Sequence, residues 1–479
     1  MVKNIMFKKA LPHSIIFSLF VTLLLFSLGA FAFQPNHQVA HAASASSTGL
    51  SRATQPLYLA EMAMNSRTAA DLALSPSLTT TSEFLEKVVP LDFYALLQGT
   101  IPANDLFLPF ISHSVTSEQE MALADRIGFG LTSSSLAAYT DVTTLTAGWY
   151  LDWRVREQPE RPNDMQYVQM IRVHQELACG EWYHADRNLC PYSQPLNYRF
   201  RPSQSVIEAA AIANPGSLWL IGNEMDRIDW AYCKEWNGSH CDVVGYNGQD
   251  EILPETYAVA YHDLYTMLKA VDPTAQIAIG GIIQPTPLRL QYLTAIWDHY
   301  QTLYTETMPV DVWNVHNFII QEKKNNWGAD IPPGVNGTEG EYVNNPQSHI
   351  DMEIFGEQIV AFREWMKARG QQNKPLVVSE YGVLYHNSLM SPLWSDSDPS
   401  YVQTFMTESF DYFANTKDCN LGYPADDCRL VQQWNWYSLD DTWGSFNPHS
   451  RLFNPDTGEI TSTGVAFRTY IQAASESVD

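Results

Sequence analysis

Basic residues are scarce in this 479-residue chain: 28 Lys and Arg stand against 53 Asp and Glu, a formal net charge of −25. A surface with that balance repels phosphate backbones and anionic headgroups, so neither nucleic acid nor an anionic membrane is an expected partner. Charge of either sign is sparse, at 17 % of residues. No CxxC and no HExxH occurs, which removes the usual zinc frameworks, and no metal or cofactor is expected. No solenoid-type repeat is present. A glycine-rich phosphate loop is missing too, since Gly128-Phe-Gly130 is too short to be one, and that weighs against a doubly wound nucleotide-binding sheet.

Residues 1–42 contain no Asp or Glu. Lys3, Lys8 and Lys9 form a basic start, Ile15 to Phe33 is apolar, and Ala40-His41-Ala42 offers a small-residue cleavage site. That is the pattern of a secretory signal, and a secreted, extracellular protein with no stable membrane insertion after its removal is expected. The alternative is an uncleaved anchor, because the apolar run is long enough to span a bilayer. No cysteine lies near the junction, so no lipid-anchored form is expected.

Aromatics, in contrast, are plentiful at 12 %, with 14 Trp and 24 Tyr. The six cysteines fall into near neighbours, Cys179/Cys190, Cys233/Cys241 and Cys419/Cys428. For an exported chain, proximity suggests three local disulfides out of fifteen possible connectivities. Residues 43–80 are rich in Ser, Ala and Thr and read as a flexible linker. Residues 81–125, with apolar stretches broken by Pro90, Pro102 and Pro109, read as an N-terminal extension packed on the main domain.

From residue 126 to 479 a strand–helix rhythm sets in. Strands are expected at 127–131, 145–153, 168–173, 217–223, 275–280, 310–318, 375–382 and 429–437. Helices are expected at 203–213, 254–271, 288–304, 352–369, 401–414 and 464–473. Only a short helix, around 135–139, separates the first two strands. Eight strands alternating with helices predict an α/β fold, a (β/α)8 TIM barrel with long loops over its top face.

Two of these strands end in a glutamate. Ser217-Leu-Trp-Leu-Ile-Gly-Asn-Glu224 closes the fourth, and Pro375-Leu-Val-Val-Ser-Glu380 the seventh. In a barrel all strand ends open into one bowl, so Glu224 and Glu380 would share a pocket. Glycosidic cleavage needs such a pair, one carboxyl protonating the leaving oxygen and one carboxylate at the anomeric carbon.

Asn223-Glu224 ending strand four and Glu380 ending strand seven resemble the signature of clan A glycoside hydrolases, over about residues 126–475. The resemblance implies retention of anomeric configuration, Glu224 as acid/base and Glu380 as nucleophile. It also implies that Asn223 holds the substrate 2-hydroxyl. His316 ends strand six, where many clan members carry His-x-Tyr, with the tyrosine bonding the nucleophile. Here the triplet is His316-Asn317-Phe318, so Tyr381 or Tyr437 is expected to supply the missing donor.

Trp434 and Trp436, two apart on strand eight, face one side. One of them, by preference Trp434, resembles the clan's tryptophan beneath the reacting sugar. Trp149-Tyr-Leu-Asp152-Trp153 is similar to the Tyr-Asn-Trp element of glycoside hydrolase family 128, which cleaves β-1,3-glucans. Asp152 replaces the asparagine, and Met225 stands where that family has proline. Trp182, Trp230, Trp236, Trp327 and Trp394 fall in the expected top-face loops and are candidates for further sugar contacts. Asn237-Gly-Ser239 and Asn336-Gly-Thr338 are glycosylation sequons.

The expected function is a secreted retaining glycoside hydrolase acting on the β-linked bonds of an extracellular polysaccharide. Its alternative is a catalytically inactive carbohydrate-binding barrel, for which the missing tyrosine speaks. A metal-dependent barrel hydrolase would need a ligand cluster that the sequence does not display.

Overall fold

A computed structural model describes residues 121–476, apart from 134, 342–345, 386, 391–394, 396 and 442–446. The expected signal (1–42), linker (43–80) and nearly all of the extension (81–125) lie outside the described residues, as does Trp394. Twelve strands are described. Parallel pairing joins β1 (Ile127–Gly130) to β2 (Trp149–Leu151), and β2 to β3 (Gln166–Tyr167). After the single residue Val168 the chain continues as β4 (Gln169–Gln175), which pairs with β6 (Leu218–Asn223). β6 pairs with β9 (Gln276–Gly281), and a parallel bridge Ala278–Val312 carries the ring to β10 (Trp313–His316). β10 pairs with β11 (Leu376–Tyr381), β11 with β12 (Gln433–Trp436), and β12 with β1. Traced strand by strand, the parallel pairings return to their start in an eight-membered circuit, with β3 and β4 sharing one place.

Alternation along each strand sorts the apolar residues into two cores. Trp149, Leu151, Val168, Met170, Leu218, Leu220, Ala278, Val312 and Val377 form the inner one. Trp219, Ile221, Ile277, Trp313, Val378, Trp434 and Trp436 belong to the outer one, beneath the helices.

Helices Gln204–Ala213, Pro254–Val271, Pro287–Tyr304, Met352–Ala368, Ser400–Asn415 and Ser462–Glu476 occur in the order expected. Pro254 at the first turn of the second needs no N–H partner, and the helix stops just before Asp272-Pro273. Tyr257, Tyr261, Leu264 and Leu268, spaced three or four apart, are its buried stripe. Asp351 caps the fourth through the N–H groups of Glu353 and Ile354, and Gly370 beyond its end takes φ +69°.

The helix expected near 135–139 is not α. Leu136–Ala138 and Val142–Leu145 are 3-10 turns, and so is Pro162–Asp164 before β3. Val142-Thr-Thr-Leu145 is rich in β-branched residues, and Thr146 ends it at φ +56°. All three expected disulfides are formed: Cys179–Cys190, Cys233–Cys241 and Cys419–Cys428. Among the described residues, no helix is long and apolar enough to cross a membrane.

Two additions sit near the carboxyl ends of β4 and β6. β5 (Tyr198–Arg201) runs antiparallel to β4. β7 (Trp230–Trp236) and β8 (Cys241–Asn247) make a hairpin held by the Cys233–Cys241 bridge.

Candidate active site

The inner core stops short of the strand ends, and above it opens a cavity of about 700 Å³. Its walls include Asp152, Trp153, Asn223, Glu224, Arg227, Glu380 and Tyr437. The two expected glutamates therefore share one cavity.

Different backbone devices aim them. Gly222 takes φ +95° and Glu224 φ +48°, so the alternation of β6 breaks just where the carboxylate must turn. A left-handed conformation costs a non-glycine residue on the order of 1–3 kcal/mol. Here the Glu224 N–H donates to the Gly281 carbonyl at 2.8 Å, and the Glu224 carbonyl accepts from Arg227 at 3.0 Å. Buried Asp250 pins the neighbouring backbone, accepting from the N–H groups of Asn223 (2.8 Å) and Val173 (3.1 Å) and from Arg172 Nε (2.8 Å). On β11, Leu376 and Val378 face outward, and simple alternation would send Glu380 the same way. A register shift between Val378 and Tyr381 intervenes. It turns Glu380 to the cavity and Tyr381 to the helices, the work bulges commonly do beside active sites.

His316 lies between the carboxylates. Its Nδ1 is 3.3 Å from Glu224 Oε1 and its Nε2 is 3.9 Å from Glu380 Oε2. It gets there because β9 carries glycine at 281: a Cβ on Gly281 would lie 2.4 Å from His316 Cδ2. One oxygen of each glutamate and a ring nitrogen of His316 all lie within 4.8 Å of one another. That trio could offer ligands to a cation. The two ring nitrogens face different carboxylates, however, and the Arg227 guanidinium already occupies Glu224, so the arrangement fits charge pairing better than metal ligation.

The electrostatics of the pair are unequal. Burial pushes Glu224 up, but Arg227 (Nη1 to Oε2, 2.9 Å) and His316 outweigh it and hold the carboxyl at about 2. For Glu380 burial dominates, and His316 only partly opposes it. The Glu224 charge adds to the rise, and the carboxyl is pushed up to about 7. Burial presses His316 toward its neutral form, yet Glu380 and Glu224 raise it on balance. Between about 2 and about 7 the pair holds one proton, with Glu224 the more readily ionised and Glu380 the group that favours keeping it.

Among the hydrogen bonds of the described residues, the donor to Glu380 is Trp153 and not either tyrosine expected for it. Tyr381 is buried against the helices, its hydroxyl 3.1 Å from Ser409 Oγ. Tyr437 lines the cavity edge-on to Trp153, with ring centroids 5.8 Å apart. Trp153 itself donates from Nε1 to Glu380 Oε2 at 2.9 Å. Its ring fits because β1 has glycine at 130, where a Cβ would lie 2.8 Å from the indole.

Other expected positions divide. Asn223 lines the cavity, its amide N–H donating to Gln249 Oε1 at 3.0 Å while its buried Oδ1 has no hydrogen-bond partner. Asp152 lines it too, but its oxygens are bound to Arg156 Nε (2.6 Å) and the Tyr167 hydroxyl. Trp434 and Trp436 do not reach it. β12 is in register with β1, Trp434 beside Ile127 and Trp436 beside Phe129, and those partners face outward. Both tryptophans pack on Phe410 in the helix layer. Trp149 fills the inner core lower down, with its Nε1 bonded to the Arg126 carbonyl. Of the loop tryptophans, Trp230 and Trp327 line the cavity, whereas Trp236 is exposed on the hairpin. Arg227 does not stand out in the sequence, although its distance of three residues from Glu224 is a usable sign of pairing. Gly281, Arg172 and Asp250 carry no comparable sign.

No protein-family model matches the chain, and neither does any curated protein. Among solved structures, similarity extends to an oligosaccharide-binding protein of glycoside hydrolase family 128, subgroup VII, from Trichoderma gamsii. Identity is 13 %, with a TM-score of 0.37, over 76 % of this chain and 100 % of that one. A GH5_18 protein from Streptomyces cattleya, solved with GlcNAc, is 13 % identical at TM-score 0.40, over 73 % of this chain and 80 % of that one. A plant beta-glucan endohydrolase is 12 % identical at TM-score 0.35, over 69 % and 97 % of the respective chains.

Proposed function

We propose that this chain is a secreted retaining glycoside hydrolase that cleaves β-linked bonds of an extracellular glycan. One observation carries the reading: Glu224 and Glu380, 156 positions apart in sequence, bring carboxylate oxygens within 4.8 Å across a single open cavity. Carboxyl groups about 5–5.5 Å apart suit attack by one of them on the anomeric carbon, whereas inversion needs roughly 6.5–9.5 Å to admit a water. The three disulfides support an oxidising, extracellular setting.

In this reading Glu380, ionised, attacks the anomeric carbon while Glu224 passes its proton to the leaving oxygen. The glycosidic C–O bond breaks and a glycosyl ester forms on Glu380. Glu224, now a carboxylate, takes a proton from water, whose oxygen displaces Glu380 and restores the resting proton count. The resting protein carries that proton on Glu380, so it must cross before cleavage. His316, with one nitrogen toward each carboxylate, can relay it once Arg227 lets go of Glu224. Trp153 supplies the hydrogen bond to the nucleophile that a tyrosine at position 318 would otherwise give.

Assay of the purified protein on β-glucans, mannans, xylans and aryl β-glycosides tests this. Turnover that is abolished in Glu380→Ala is expected; turnover that survives it unchanged removes the nucleophile assignment. The second reading, a carbohydrate-binding barrel without turnover, is favoured by the Arg227–Glu224 ion pair, which keeps the would-be acid ionised. Measured glycan affinity with no hydrolysis across the panel would decide for it.

A further inference from the structure

Four arginines, Arg154, Arg172, Arg201 and Arg227, line the cavity of an otherwise acidic protein. Arg227 is matched by Glu224 and Arg172 by Asp250. Among the described residues Arg154 has only Asp152, at 3.7 Å, and that carboxylate is already bound by Arg156 and Tyr167. Arg201 has no carboxylate among the contacts of the described residues. Its Nη2 donates to the Tyr183 hydroxyl at 2.8 Å, and its guanidinium lies 4.3 Å from the Trp182 ring centroid.

The pairing of β4 with β5 makes this costly. Arg172 sits directly across from Arg201, and His174 across from Arg199. Side chains opposite one another on an antiparallel pair share a face, and like charges there repel. Arg199 stacks on the same Trp182 at 4.6 Å, with Nε and Nη2 buried and unbonded. Two of the nearby acids are committed, Asp250 to Arg172 and two backbone N–H groups and Asp229 to His174 and Arg187, while Glu176 and Glu181 act on Arg199. Asn223, the chain neighbour of Glu224, and Arg172 both donate to Gln249 Oε1.

We infer that the glycan bound here carries anionic groups, uronate carboxylates or sulfate esters, and that Arg201, with Arg154 at the mouth, receives them away from the bond that is cut. The inference rests on the glycan-binding reading of the cavity. A planar guanidinium held on an indole face is pre-organised for two-point contact with a carboxylate or sulfate. Its exposed edge keeps the desolvation cost of the free protein low.

Glu380→Gln protein, inert by the proposal above, would be titrated calorimetrically with three β-linked oligosaccharides of equal length: neutral, uronate-containing and sulfated. At low salt, at least one anionic oligosaccharide should bind roughly 10- to 100-fold more tightly than the neutral one, the worth of a charge-assisted hydrogen bond. That margin should shrink at high salt and largely vanish on adding Arg201→Gln, read as the ratio of anionic to neutral affinity within each variant. The tighter arm identifies the anion. Equal affinity for all three, or a margin that persists without Arg201, overturns the inference. Turnover is read separately on the wild type, so an anion preference without cleavage would remove the hydrolase and keep the ligand.

Discussion

The ends of β6 and β11 both deliver a glutamate to one cavity, and by opposite means. Glu224 arrives through two residues at positive φ and meets the Arg227 guanidinium and the His316 imidazole. Glu380 arrives through a register shift and meets one indole N–H, with His316 farther off. Equal side chains thus become unequal groups, one held near 2 and the other near 7. Surroundings rather than residue type set which of them carries the proton.

Removing either glutamate breaks the comparison most severely. On the proposed mechanism Glu380→Ala removes the nucleophile, and kcat should fall by about four orders of magnitude or more on every substrate. Glu224→Ala should cost roughly 10²–10⁴-fold on natural linkages and far less on aryl glycosides with good leaving groups. Azide should rescue it there, and absence of rescue would count against the acid/base role. Gly281→Ala comes next. Its Cβ has no room beside the His316 ring, so the imidazole must shift, and kcat should fall at least about tenfold with KM little changed.

Arg227→Gln sharpens the comparison instead of destroying it. Without the guanidinium, Glu224 is left with burial, which raises it, and with His316 alone, which lowers it. The acidic limb of kcat/KM should therefore move to higher pH. For the wild type, both carboxyls are protonated below about 2, leaving no nucleophile, and neither is protonated above about 7, leaving no acid. Activity should hold between those values and fall on each side. An unchanged acidic limb in Arg227→Gln would mean that the ion pair does not govern Glu224.

The smallest effect is on stability. Glu380 titrates higher in the folded protein than its ordinary 4.5, so its contribution is fully present below 4.5 and is lost as pH rises through about 7. Glu380→Gln should raise Tm by a few degrees at pH 8 and much less at pH 5. An equal change at both would show that the carboxyl is not strained by ionising.

The same comparison shows what the sequence could reveal. Apolar runs stopped by glycine or proline give the strand–helix order, near-neighbour cysteines give the disulfides, and the two strand-end glutamates stand out against those runs. Facing is harder. Trp434 and Trp436 do share a side, as their spacing requires, but which side follows from register with Ile127 and Phe129 on a strand three hundred residues away. Tyr381 and Glu380 exchange faces through a register shift that leaves no trace in Leu376-Val-Val-Ser-Glu-Tyr381. Trp153 was visible as a site residue, but its role as donor to Glu380 depends on the space left at Gly130.

The most direct measurement traps the covalent intermediate. The protein would be incubated with a 2-deoxy-2-fluoro β-glycoside bearing an activated leaving group, then digested and mapped by mass spectrometry. The account predicts a glycosyl adduct on Glu380. An adduct on Glu224, or turnover with inversion and no adduct, would contradict it.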